Sequence, residues 1–141
     1  MPQEEHPARS QANEAIPAEI EQFVLEHIDS IAQLEALLIL RNKPDSWWPS
    51  GAVAERLYIA EKTSRADLEG LRRHGLLLGR EDNVGWSYRY RPYTDELRKH
   101  VDRLVSCYSK QLVPISNLIH SKRRTRIQEF ADAFTLNKRK K

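Results

Sequence analysis

The stretch 58–90 constrains the fold of this chain most strongly, because it holds a helix stop followed at once by two strand-like runs. A helical pattern ends at Gly75, a residue that readily adopts the left-handed conformation found after a helix. Alternating apolar residues then occupy 76–80 and 85–90, and a polar turn joins the two runs. The sequence therefore predicts a helix followed directly by a β-hairpin. Candidates for the inner or edge-covering face of the hairpin are Leu76, Leu78, Trp86, Tyr88 and Tyr90.

The residues before this stretch predict two further helices, because their apolar side chains recur at spacings of three and four. The first helix begins at Pro17. The second begins after Ser30, which is expected to form a capping box with Gln33, and it ends near residues 41–43. The inward faces of the two helices carry Ile20, Phe23, Val24, Leu34 and Leu37.

A helix-turn-helix is predicted where these helices meet the hairpin. Ser50 is placed to cap a short helix over 51–57, and a tight turn leads to a longer helix over 62–74. Leu68 and Leu71 form the inward face of the longer helix. Two helices joined by a tight turn and followed by a hairpin are the parts of a winged helix-turn-helix. We therefore predict a mainly α fold with a small β-hairpin, a winged helix-turn-helix with a long C-terminal helix.

Trp47 and Trp48 lie in a proline-containing loop before the short helix. Two adjacent rings can line a ligand pocket between the domain and the long helix, or they can pack beneath the loop as core anchors. We favour the core, because the large aromatic area that such rings bury needs no ligand to account for it.

A long amphipathic pattern follows Thr94, which is expected to cap a helix of about six turns. Pro114 falls inside this pattern and predicts a kink or a break there. A last amphipathic piece spans residues 127–134. The apolar stripe is longer than one small domain needs. It therefore favours a homodimer formed through the C-terminal helix over a helix that folds back on its own domain.

Charge is distributed unevenly, and its pattern separates the ends of the chain from its middle. Residues 1–40 carry a formal charge of −7, from eight acids and one base, whereas 122–141 carry +6, from eight bases and two acids. The basic end favours nucleic acid or an acidic partner surface, although solvated chain ends account for the same charges. The predicted regions are a disordered acidic arm at 1–16, the winged-helix domain at 17–93, a helical extension for dimerisation or packing at 94–134, and a basic tail at 135–141.

Motifs for catalysis or metal binding are missing from this sequence. It has no Gly-rich phosphate loop and no nucleophile elbow, and its five histidines have no metal-ligand spacing to one another or to Cys107. We therefore predict no enzyme, no metal site and no cofactor. A single cysteine, the lack of a secretion signal and the lack of an apolar run of about 18 residues favour a cytoplasmic protein without a membrane span.

The helix over 62–74 carries the predicted DNA-reading surface, because its face away from the core is basic and polar. Side chains at its N-terminal end are expected to contact bases or the first phosphates, as a recognition helix does. These are Lys62, Thr63, Ser64 and Arg65. Three further arginines are expected to contact phosphates of double-stranded DNA: Arg72, Arg73 and Arg80.

Acidic residues complicate this interpretation. Glu61, Asp67 and Glu69 interleave with the cations of the helix, and the wing tip is the acidic pair Glu81-Asp82. A wing that enters a minor groove usually carries Arg or Lys. The alternative is therefore a solvated or protein-binding face.

The run LEGLRRHGLL, followed by a polar turn and WSYRYRP, resembles the recognition helix and wing of bacterial winged-helix regulators of the broad MarR/PadR-like type. With WWPSGAVAERLYI and the late IQEFADAF, the resemblance covers residues 17–134 and extends to small stand-alone bacterial winged-helix proteins. It implies a winged-helix fold and a transcriptional role, and it identifies neither a small-molecule effector nor an operator. The acidic wing tip departs from the usual pattern of DNA-binding members.

The sequence thus predicts a cytoplasmic, homodimeric transcriptional regulator that binds specific DNA sequences, with a basic tail that adds salt-dependent affinity. The alternative is a winged-helix adaptor that binds another protein through its C-terminal amphipathic segments, without sequence-specific DNA binding.

Overall fold

A computed structural model describes residues 16–139, with side chains described for 16–134. Helix α1 spans Ala18–His27 and α2 spans Ile31–Asn42. The predicted cap of α2 is confirmed, since Ser30 Oγ accepts a hydrogen bond from the Gln33 backbone N–H at 3.0 Å. The Gln33 side chain reaches back one residue further than a capping box requires, and its Oε1 accepts from the Asp29 N–H at 2.7 Å.

Helices α3, Ser50–Leu57, and α4, Glu61–Arg73, form the helix-turn-helix. The predicted capping role of Ser50 is wrong, because α3 begins at Ser50 itself and its N-cap, Pro49, makes no side-chain cap bond. The Ser50 hydroxyl instead donates a hydrogen bond to the Glu61 carboxylate at the start of α4. Ser64 Oγ donates to the Ser50 carbonyl at 2.8 Å, so two bonds join the N-terminal ends of the two helices.

A three-stranded antiparallel sheet follows, in the order β1-β3-β2. Strand β1 is Trp48–Pro49, β2 is Leu77–Asp82 and β3 is Gly85–Tyr90. The hairpin was predicted, whereas β1 was predicted as loop. Two residues that include a proline are too short a run to reveal alternation, and only pairing with β3 defines them as a strand. The predicted fold class is confirmed as mainly α with a small antiparallel sheet, one strand larger than predicted, and a long C-terminal helix, an arrangement compatible with a winged helix-turn-helix.

The C-terminal part consists of α5, Asp95–Lys110, and α6, Leu112–Arg139. Thr94 caps α5 as predicted, its Oγ1 accepting from the Leu97 N–H at 3.1 Å. The break lies at Gln111 rather than at Pro114. Pro114 falls in the first turn of α6, where its missing N–H removes no hydrogen bond inside the helix. The amphipathic piece 127–134 belongs to α6, which continues into the predicted tail as far as Arg139.

The core lies between the helices and one face of the sheet, and it is built from the apolar positions that the periodicities predicted. Trp48 packs against it, whereas Trp47 lies outside it. On β2 the inward residue is Leu77, while Leu78 is 39% exposed, so the predicted phase of this strand is wrong by one residue. Residues buried in the core include Ile20, Phe23, Val24, Leu34, Leu37, Leu68, Leu71, Tyr88 and Tyr90.

A buried lysine anchors α6 to the end of α1. Lys122 Nζ donates to the carbonyl oxygens of Val24 and Ile28 at 3.2 and 2.6 Å, and it lies 3.0 Å from Asp29 Oδ1. Arg126 binds the same carboxylate oxygen at 2.9 Å. Burial alone would raise the pKa of Asp29, but the hydrogen bond and charge of Lys122, with those of Arg126, hold it below its ordinary value. From residue 123 to residue 134 every side chain of α6 is exposed.

Of the predicted regions, the acidic arm at 1–16 lies outside the described residues except for Ile16, which packs partly against the core. Residues 140–141 of the basic tail also lie outside them.

Candidate nucleic-acid interface

The outer face of α4 is the predicted reading surface. Lys62, Thr63, Arg65 and Arg73 are exposed on it, while Leu68 and Leu71 on the opposite face are fully buried. Helix α4 thus presents two cations and a hydroxyl within its first turn and a half. These groups can donate hydrogen bonds to base edges and phosphate oxygens.

Ser64 does not belong to this surface. It was predicted to contact DNA, but its side chain is fully buried and its hydroxyl is engaged by the Ser50 carbonyl. The helix phase explains the difference, since Ser64 lies four residues before Leu68 and therefore on the same inward face. Ser64 fixes the position of α4 and is not exposed to a ligand.

Two acidic residues of α4, Glu61 and Glu69, form hydrogen bonds within the protein. Glu61 accepts the hydroxyl of Ser50. Glu69 pairs with Arg72, whose Nε donates to Glu69 Oε2 at 2.9 Å, and it accepts the Tyr88 hydroxyl at 3.0 Å. The hydrogen bond from Arg72 lowers the pKa of Glu69, while burial, followed by the bond to Glu69, raises the pKa of Tyr88 to about 12. The charge of Glu69 is therefore balanced by Arg72, whereas Glu61 is exposed and keeps its negative charge next to Lys62 in the sequence.

Asp67 is a third acid on α4, and its environment is unfavourable for a charge. Its Oδ2 atom is buried and has no hydrogen-bond partner among residues 16–134. Burial raises the pKa of Asp67 to about 6, and the charge of Asp29 adds to this effect while that of Arg123 opposes it. Asp67 is therefore ionised at neutral pH only at the expense of folding stability.

We expect Asp67→Asn to stabilise the fold by about 1 kcal/mol at pH 8, a value reduced for the partial exposure of this side chain. Because the folded pKa lies above its ordinary value of 3.8, the carboxyl favours folding at low pH and loses this benefit as pH rises through about 6. The stability difference between variant and wild type, measured by urea unfolding from pH 4 to pH 8, should grow across that range. Asp45→Asn, in the exposed loop before β1, serves as control. A destabilised Asp67→Asn protein at pH 8 would contradict the assignment.

Arg72 was predicted to contact phosphate, and the structure gives it a different environment. Its guanidinium is paired with Glu69 and lies 5.9 Å from the centroid of the Trp86 ring in the wing. This arrangement holds β3 against α4. Arg72 therefore has an internal partner, whereas Arg73, the next residue, is exposed and has no ion pair with any described residue.

The wing carries its charges on two faces, because successive side chains of a strand alternate. Glu81 pairs with Trp86 on the inner face, and Arg80 pairs with Ser87 on the outer face. At the tip, Asp82 Oδ1 accepts from the Val84 N–H at 2.9 Å, so this carboxylate shapes the turn. Of the acidic pair predicted at the tip, Asp82 therefore binds the backbone of the turn, and Glu81 lies on the inner face.

Sequence reasoning missed Tyr58, which lies in the turn of the helix-turn-helix. It is 95% exposed and has a left-handed backbone, with φ 56° and ψ 45°. Nothing in the sequence marks a tyrosine for this conformation, which glycine and asparagine usually adopt. The phenol extends into solvent from the turn that joins α3 to α4, so it exposes a hydrogen-bonding group four residues before Lys62.

The far end of α4 is tied to α1 by a histidine pair. His27 Nδ1 and His74 Nδ1 are 3.0 Å apart, so one ring donates its N–H to the other. Burial, followed by the charge of His74, lowers the pKa of His27 and favours its neutral form. Both ends of α4 are therefore bonded to other helices of the domain.

The short helix, the tight turn, the second helix and the sheet that follows have the order of parts of a winged helix-turn-helix. The chain matches no protein-family model, and no curated protein gives a significant match. A solved structure described as a possible transcriptional regulator from Methanosarcina mazei Go1 is similar at 20% identity, over 65% of this chain and 78% of that chain, with a TM-score of 0.46. A likeness at this level assigns no function, and the resemblance to MarR/PadR-like regulators stays a prediction.

Two further observations concern other classes of function. No three His, Cys, Asp or Glu side chains in the described part of the chain are grouped so that they can hold a metal ion. Among the described helices, none combines the length and the apolar character needed to cross a bilayer.

Proposed function

We propose that this protein is a DNA-binding transcriptional regulator that reads the major groove with α4. One observation carries the proposal: Lys62, Thr63 and Arg65 face solvent on α4, while Glu69 of the same helix is paired with Arg72 and accepts the Tyr88 hydroxyl. A helix whose exposed face carries more cations than unpaired acids suits a polyanion. Arg73 and Arg80 extend the basic surface towards phosphates on either side of the groove.

The proposal is tested by selecting genomic DNA fragments with the purified protein at near-physiological salt. A regulator of this kind enriches fragments that share a sequence motif. A parallel selection with a protein lacking residues 138–141 separates reading by α4 from non-specific attraction to the basic end. Enrichment of one motif by both proteins supports the proposal. Binding that has no motif and disappears with the deletion would contradict it.

We further propose that the protein acts as a homodimer joined through α6. The helix has 28 residues and is therefore about 42 Å long. Beyond Lys122 it presents Ile127 and Phe130 to solvent, at 64% and 75% exposure. A helix end whose large apolar side chains are more than half exposed is only marginally stable in water. Pairing with α6 of a second copy would cover these residues and place two recognition helices at half-sites about 34 Å apart.

Light scattering is expected to give twice the chain mass of 16.5 kDa, because the dimer covers Ile127 and Phe130. The double variant Ile127→Ser/Phe130→Ser should shift the mass towards that of the single chain while leaving the domain folded. Leu25→Ser, on an exposed apolar residue of α1, is the matched control. A wild-type monomer at all concentrations would rule out the dimer. It would leave α6 free for a different protein, as in the adaptor alternative.

A further inference from the structure

A pair of histidine rings joins α1 to the end of α4. His27 is the last residue of α1, and His74 directly follows α4 as its C-cap. Their Nδ1 atoms are 3.0 Å apart, and the two rings are nearly perpendicular, with an interplanar angle of 86°. A hydrogen bond between two Nδ1 atoms forms only when one of them carries a proton and the other does not. This bond, the histidine joint, therefore depends on how many protons the pair holds.

The histidine joint lies beside a cleft of about 300 Å³ between α1 and α5. The Phe23 ring lines the cleft, with its centroid 4.6 Å from that of His27 and 5.6 Å from that of His100. Carboxylates lie close to both imidazoles. Glu26 Oε1 is 3.8 Å from His27 Nε2, and Glu19 Oε2 is 3.9 Å from His100 Nε2. The cleft therefore offers a protonated ring both space and negative charge.

Charged and titratable groups surround the histidine joint from α1, α5 and α6 as well as from the end of α4. Burial, followed by the charge of His74, lowers the pKa of His27. Lys122 and His100 act in the same direction, whereas Glu26 opposes them. The complete set around the joint and its cleft is Glu19, Glu26, His74, Glu96, His100 and Lys122. The closed joint exposes 17% of the His27 side chain and favours the neutral ring.

The histidine joint tolerates one added proton but not two. With one, the charged ring donates its Nδ1–H to the neutral ring, so the hydrogen bond survives. With two, both Nδ1 atoms carry hydrogens, and two donors with like charges face each other at a separation of 3.0 Å. No acceptor is then left between the rings, so the second proton breaks the joint.

We propose that the histidine joint is a pH-sensitive switch, in which the second proton breaks the bond, turns the His27 ring towards the carboxylates of the cleft and releases α1 from the end of α4. The bonds of Ser50 keep α3 and α4 together in the open form. Helix α6 stays with α1, because Lys122 binds the carbonyl oxygens of Val24 and Ile28. Opening therefore changes how α1 and α6 together attach to α4.

Acid opens the joint, because the folded pKa of His27 lies below its ordinary value of 6.5. The stability that the neutral joint contributes is complete above pH 6.5 and is lost as the pH falls below that value. Asp67 has the opposite effect, since its raised pKa of about 6 makes its burial more favourable in acid. A test of the joint must therefore compare proteins that both contain Asp67.

His27→Asn is such a comparison, because the asparagine amide can bond His74 Nδ1 as donor or acceptor and does not titrate. Urea unfolding from pH 7.5 to pH 5 gives the folding equilibrium constants of the wild type and the variant. Their ratio should fall about tenfold for each pH unit by which the pKa of His27 lies below 6.5. His120→Asn, at an exposed histidine of α6, should keep the wild-type pH profile. A ratio that does not change with pH overturns the switch.

NMR of the wild-type protein observes the joint itself, and it decides if His27→Asn does not fold. Nuclear Overhauser effects between the rings of His27 and His74 should be present at pH 7.5. They should be lost at pH 5, where the ring 15N shifts should show both imidazoles protonated. Ring contacts that persist with both imidazoles protonated overturn the proposal, and so does a pair that binds no second proton at pH 5.

The consequence for DNA binding rests on the proposed function, whereas the joint does not. From pH 7.5 to pH 5 the wild type should lose more affinity for a selected duplex than His27→Asn, because only the wild type opens. Equal losses in the two proteins overturn the link between the joint and DNA binding. If the wild type selects no DNA, the proposed function fails, and the stability ratio and the ring contacts still decide the joint.

Discussion

Arg65→Ala should weaken binding to the selected DNA sequence by about tenfold to a hundredfold, because a bidentate arginine–guanine contact contributes about 1–3 kcal/mol to discrimination. The side chain is exposed, so its removal leaves the domain folded. Specificity should fall more than non-specific affinity, since the charge lost is one among many. Fluorescence anisotropy with the selected duplex and with a scrambled duplex measures both quantities.

Two comparisons sharpen this result. Lys99→Ala removes one exposed cation of α5 and should leave specificity intact. Ser64→Ala removes the buried hydrogen bond to the Ser50 carbonyl, so it should lower stability by about 1 kcal/mol while the recognised sequence stays the same. Equal loss of affinity in Arg65→Ala and Lys99→Ala would mean that α4 supplies charge without reading the sequence.

Lys122→Met should destabilise the fold by about 2–4 kcal/mol, because it removes a charged, hydrogen-bonded group from a buried position while keeping a long unbranched side chain. The carbonyl oxygens of Val24 and Ile28 lose their donor, and Asp29 loses the buried one of its two cationic partners. The junction between α1 and α6 is the part of the fold that weakens. Urea unfolding at pH 7 measures the change.

Arg126→Met is the matched control, because Arg126 binds the same Asp29 oxygen at a comparable distance but is 58% exposed. An exposed ion pair contributes about 0–1 kcal/mol, so this variant should lose much less stability. Similar losses in both variants would mean that burial of Lys122 has no particular importance. A neutral Lys122→Met would contradict its role as the anchor of α6.

Features determined by local periodicity were predictable from the sequence. The apolar spacings located the helices and most of the core, and Ser30 and Thr94 marked two helix starts. The hairpin followed from Gly75 and the alternation after it. These features depend on residues within about two turns of one another, which is the range over which sequence patterns carry information.

Features determined by long-range contacts were not predictable. Strand β1 exists only because Trp48 and Pro49 pair with β3, about forty residues later. Ser64 was predicted on the reading face because it lies at the N-terminal end of the helix, whereas it is buried and its hydroxyl is bonded to the Ser50 carbonyl. The pairing of Arg72 with Glu69 is local, whereas the stacking of the Arg72 guanidinium on Trp86 depends on the position of the wing.

The bonds of Ser50 limit how this protein can be controlled. Ser50 follows β1 directly and is the first residue of α3. It is also hydrogen-bonded to Glu61 and Ser64 of α4, so the edge of the sheet and both helices meet at this residue. Helix α4 consequently cannot move independently, since a tilt of α4 would break these bonds and shift the wing as well. If the protein binds DNA as proposed, a signal that changes this binding would have to move the domain as a rigid body.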